Sequence, residues 1–158
     1  MDSTTPAAPG GNPIRSIIAV LGGIGIISLV TEVLEFTLVR AAAGGPIADM
    51  TAYFAVRNRP AILAAKLAYT PLAALLGGYM TAKVAASREL PHVLAAAAIQ
   101  TVALAWGFTT GEYAPFTPVW MRVALVLLTG PAMVAGGAVR ARAAAAVQQP
   151  PEMDRIQP

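Results

Sequence analysis

Between Ile14 and Val39 the chain carries one cation, Arg15, and then no charged residue until Glu32 and Glu35. A helix that crosses a bilayer needs about 20 mostly apolar residues, and this stretch supplies them. The two acids stand three residues apart and therefore on one helix face. An ionised side chain inside lipid costs on the order of 3 kcal/mol, so other parts of the chain must offset the charge.

Composition points the same way. Of 158 residues, 56% are hydrophobic and only 12% charged, whereas soluble domains carry about 25% charged residues. One membrane domain is the economical reading. The absence of cysteine excludes disulfides, thiolate metal sites and thiol redox chemistry. The single histidine, His92, excludes a bis-histidine haem within one chain. A net charge of +3, spread along the chain, forms no basic stripe for nucleic acid. No serine has a histidine and an acid around it, and no loop is built to cradle phosphate. The expectation is a protein that is not an enzyme and takes no cofactor or metal. Richness in Ala, Gly, Val, Pro and Arg suggests a GC-rich bacterial genome.

Four segments qualify as spans, at about 14–39, 61–82, 91–111 and 117–139. Gly44, Gly45 and Pro46 follow the first, Pro60 precedes the second and Pro91 opens the third, and a proline at a helix start loses no hydrogen bond. Residues 14–142 thus form a four-helix transmembrane domain between a disordered tail, 1–13, and a polar tail, 143–158. The first span is read as an uncleaved helix, because two glutamates and an arginine precede the small residues Ala41, Ala42 and Ala43. Between the first two spans, Ile47, Met50, Tyr53 and Phe54 share a helical face while Asp49, Arg57 and Asn58 fall elsewhere. This pattern fits a short interfacial helix or an ordered loop capped by aromatics. The fold expected is all-α and integral to the membrane.

With both termini inside, the inner ends carry Arg15, Lys83, Arg88, Arg140, Arg142 and Arg155, and the loop between the third and fourth spans has no cation. The positive-inside rule then favours an N-in, C-in topology, with the bacterial inner membrane as the location. Nine of ten aromatics lie in the half that this places outside.

Small and polar residues repeat at helical spacing in each span, as helix association in lipid requires. The stripes are Gly25, Ser28, Glu32 and Glu35; Lys66, Thr70, Ala74, Gly77 and Thr81; Ala96, Gln100, Ala103, Gly107 and Thr110; and Arg122, Thr129 and Gly136. Pro71 and Pro131 should bend their helices, with Thr70 and Thr129 bonding freed backbone groups. The second and fourth spans also share an order of Thr-Pro, Gly-Gly and a terminal cation, as two fused hairpins would.

Helical rise puts Glu32 roughly 8 Å and Glu35 roughly 12 Å outward of their helix midpoint, with Lys66 and Arg122 roughly 7 Å outward of theirs. Thr110, Glu112, Tyr113 and Tyr69 lie near that level. The candidate site is therefore a polar cluster of Glu32, Glu35, Lys66 and Arg122, supported by Tyr69, Thr110 and Glu112. It can be a set of interhelical ion pairs, a cavity in which a carboxylate, Glu35 above all, binds a proton, cation or headgroup, or a set of long side chains that snorkel to the interface separately and never meet.

Ala68-Tyr69-Thr70-Pro71-Leu72 through Gly77-Gly78-Tyr79-Met80-Thr81-Ala82-Lys83, then Pro91-His92, Phe116-Thr117-Pro118-Val119-Trp120 and Gly136-Gly137, follow a recurring order. Over most of residues 15–142 this is similar to small four-span bacterial membrane proteins with no established activity. What that resemblance implies is architecture alone. The function expected is a non-catalytic accessory or interaction subunit, with the bilayer and a membrane protein or a second copy as partners. The alternative is a small transporter or ion-conducting oligomer that uses Glu35 with Lys66.

Overall fold

The computed structural model describes residues 12–86 and 88–148. Among these residues there are five α-helices and no strand: α1 (Pro13–Ala43), α2 (Met50–Arg57), α3 (Pro60–Ala85), α4 (Glu89–Thr110) and α5 (Val119–Gln148), with a 3-10 turn at Ala114–Phe116 before α5. The four long helices are each long and apolar enough to cross a membrane. The protein is an all-α four-helix bundle with a short helix between the first two spans. The disordered tail expected at 1–13 lies almost wholly outside the described residues. Of the expected polar tail, residues 143–148 continue α5 and the remainder lies outside them.

Local signals explain the boundaries. The Asn12 side chain accepts the Ile14 N–H at 3.0 Å, Pro13 occupies the first helical position, and Gly44 ends α1 at φ +68°, the left-handed region where a residue without Cβ is at ease. Asp49 caps α2 by accepting the Ala52 N–H at 2.8 Å. Of the 47–59 segment, Met50–Arg57 is helical. Pro60 opens α3.

The helices run alternately up and down. At one end Arg15 donates to the Val84 carbonyl at 2.7 Å, His92 meets the Ser16 hydroxyl at 2.9 Å, and Arg140 lies 3.7 Å from Glu89. The start of α1, the end of α3, the start of α4 and the later part of α5 therefore share that end. The other end holds the late turns of α1, the start of α3, α2 and the 3-10 turn.

The centre is α3, which packs most extensively against α5 and α1, while α1 meets α4 only sparsely. Glycines let backbones approach. A Cβ at Gly78 would run into the Met133 backbone, and one at Gly136 into the Leu75 backbone. These reciprocal contacts join the parallel helices α3 and α5 through their Gly-Gly pairs. Gly23 packs in the same way on Gly77 and Thr81. The contact face of α1 is thus Ala19, Gly23, Ile27, Glu35 and Val39, and Gly25, expected to pack, faces open space. In α4, Ala96 and Gln100 are buried, but Ala103, Gly107 and Thr110 are exposed. The core gathers Ile27, Ala74, Ala96, Ala97 and Met133, with Ile27, Ala74 and Met133 near the middle of their helices.

Both α3 and α5 continue through Pro71 and Pro131. The threonines do not act as expected. Thr129 donates to the Leu125 carbonyl at 2.6 Å, two residues before Leu127, whose carbonyl Pro131 frees, and the buried Thr70 hydroxyl has no partner.

Candidate functional site

Glu35 is the one buried carboxylate among the described residues. It faces the bundle because it continues the Gly23–Ile27 face of α1. Arg57, on the last turn of α2, donates from Nε to Glu35 Oε1 at 2.7 Å, and Tyr53, one turn earlier, donates its hydroxyl to the same oxygen at 3.2 Å. Lys66 of α3 donates to Oε2. Both carboxylate oxygens are therefore occupied. Two cations around one carboxylate leave a net single positive charge, enclosed by side chains that are 7%, 10% and 13% exposed for Arg57, Glu35 and Lys66.

Why Arg57 reaches the site follows from how α2 docks. Phe54 is buried and stacks on Phe116, ring centroids 4.9 Å apart, and lies 5.7 Å from Tyr113. Asn58 donates to the Phe116 carbonyl at 2.6 Å. These contacts clamp α2 over the turn between α4 and α5. Arg57, three residues after Phe54, then points down beside it, with its guanidinium 5.2 Å from the Phe54 ring centre. Its Nη1 donates to Thr117 at 2.9 Å. Burial, and after it the Glu35 carboxylate, pushes the Tyr53 phenol up to about 12, because both disfavour a second negative charge.

The expected cluster forms only in part. Glu35 and Lys66 meet as expected. Glu32 is exposed and makes no hydrogen bond or ion pair with the described residues. Arg122 joins neither acid: its Nη1 donates to the Phe108 carbonyl at 2.9 Å and its buried Nε has no partner. Tyr69 is buried with its hydroxyl unbonded. Thr110 donates back to the Trp106 carbonyl at 2.9 Å, and Glu112 is exposed. The residues missed were Arg57, Tyr53 and Thr117. Arg57 was set apart from the apolar face of the 47–59 helix, yet it stands three and four residues from Phe54 and Tyr53. That spacing shares a face and was the available signal.

Toward this end a groove of about 610 Å³ opens between α1 and α4. Glu32 and Phe36 form one wall, Ala103, Gly107 and Phe108 the other, and Tyr53 and Arg57 close the top. Behind it lies a smaller cavity of about 250 Å³ lined by Glu35, Lys66, Thr70, Gln100 and Thr129. That lining is polar enough, and the volume large enough, to hold water. No three histidine, aspartate or glutamate side chains gather for a metal among the described residues. The arrangement can hold α2 in place and present an acidic rim to whatever enters the groove.

No protein-family model, curated protein or solved structure matches this chain.

Proposed function

We propose that the chain is a non-catalytic, multi-pass component of a bacterial inner membrane, with both termini cytoplasmic, that works by lateral association with membrane protein. Its resemblance to small four-span bacterial proteins belongs to the same proposal. The observation that carries it is the saturation of Glu35. A carboxylate that couples transport must exchange its partner for a proton or cation. Glu35 instead has Arg57 and Tyr53 on one oxygen and Lys66 on the other. The acids left without partners, Glu32 and Glu112, line the groove that faces out between α1 and α4.

The rival reading, a small transporter, has one observation in its favour: the groove and the inner cavity share Glu32, Glu35 and Arg57. One comparison separates the two. Protein extracted with its native lipids into nanodiscs is weighed by mass photometry, and purified protein in liposomes is assayed for proton and cation flux. Association predicts particles heavier than a single chain and flux no greater than in empty liposomes. Single-chain particles with a saturable flux would replace this reading with the transporter.

A further inference from the structure

Glu32 and Arg122 are opposite charges within spans, and neither has an ionic partner among the described residues of its own chain. They stand on opposite sides of α4, at one level. Glu32 lines the groove between α1 and α4, and Arg122 lines a hollow of about 350 Å³ between α4 and α5. Phe108 borders both hollows and separates the two charges within one chain. Of the five N–H donors that a guanidinium offers, Arg122 uses one, on the Phe108 carbonyl. The surroundings of the arginine are otherwise apolar and open, with Val119, Val123 and Leu127 exposed. Between the hollows, α4 presents Val102 and Trp106, also exposed.

We infer that the membrane partner is a second copy of this chain, joined by an ion pair between Glu32 of one copy and Arg122 of the next. This deepens the association reading and rests on it. Each charge left alone in lipid is costly, and pairing the two removes both costs at once. Because each copy carries both charges at the same depth, copies lying side by side in one orientation bring unlike charges level. A lipid headgroup would answer only one of the two. Two turns before Glu32 on α1, Gly25 has open space before it, so a neighbouring helix can come close there.

The chain has no cysteine, which gives a clean test. Copies bearing only E32C and differently tagged copies bearing only R122C are co-expressed, and membranes are treated with a short bifunctional thiol reagent. A heterotypic product that exceeds either homotypic one is expected, and it cannot arise within one chain. In parallel, association in liposomes is measured by energy transfer. E32R or R122E alone should weaken it roughly tenfold, and E32R combined with R122E in one chain should restore it to within about threefold. E32Q and R122Q, read beside their circular dichroism, keep the comparison valid if a reversed charge disturbs folding. Absence of the heterotypic product, or no recovery in the combined variant, would overturn the pairing. Native particles that contain one copy with another protein would overturn it too and leave the association reading standing. Single-chain particles would remove both.

Discussion

Replacing Glu35 with glutamine keeps the shape of the side chain and removes the only charge that neutralises Arg57 and Lys66. Arg57 Nε lies 2.7 Å from one carboxylate oxygen and Lys66 contacts the other, all within side chains no more than 13% exposed. Among the described residues no other acid pairs with either cation. Deleting one partner of a buried pair costs about 3–5 kcal/mol, because the other charge stays buried alone. Here two cations are left facing each other, so Glu35→Gln should fall toward the top of that range. Arg57→Met is milder. It gives up the bonds to Glu35 and Thr117 but leaves Glu35 neutralised by Lys66, for a loss of about 2 kcal/mol. The double variant retains one cation instead of two, so its loss should be smaller than the sum of the single losses by about 1–3 kcal/mol. Reversible unfolding in mixed micelles, titrated with SDS and followed by far-ultraviolet circular dichroism, measures all three. A loss below about 1 kcal/mol for Glu35→Gln, or simple addition of the two substitutions, would show that this carboxylate is not the hub of the network.

Other expectations can be checked on the same protein. Gly78→Ala should cost about 1–3 kcal/mol by forcing α3 off the Met133 backbone, while Gly107→Ala, which opens onto free space, should leave the unfolding midpoint unchanged. Phe54→Ala should cost on the order of 3 kcal/mol and release α2, read as lost hydrogen-exchange protection over 50–57 with the spans still protected. Tyr53 ionises near 12 in the folded chain rather than at its ordinary value of 10. The stabilisation from its neutral form is complete below pH 10 and is lost as pH rises through 12. Ultraviolet titration of tyrosinate should therefore show a late component that Tyr53→Phe diminishes.

Much of the fold was legible because span identity is a local and additive property. Length and hydropathy mark the four helices, and Asp49, Pro60 and Gly44 punctuate them with chemistry that acts within a turn. The Glu35–Lys66 contact was legible as well, since two opposite charges at one depth in adjacent spans have few other partners. The burial of Arg57 was harder to read. It depends on α2 lying over the 114–116 turn, and that docking comes from aromatic stacking between residues about sixty positions apart in the chain, Phe54 and Phe116.

The amino-acid sequence by itself determined that four helices are long and apolar enough to cross a bilayer and that acids and bases fall near one end. Only the tertiary structure decided which acid is neutralised and by what. Glu32 and Glu35 differ by three residues, which on an α-helix is about 60° of azimuth. Rotation of α1 about its axis is set by where Gly23 seats against Gly77 and Thr81, a contact between helices that no local pattern encodes. That seating turns Glu35 toward Lys66 and Arg57 and leaves Glu32 on the groove wall. The same kind of glycine contact draws α1 to α3 and α3 to α5, while α1 meets α4 only sparsely, and the groove lies between these two helices.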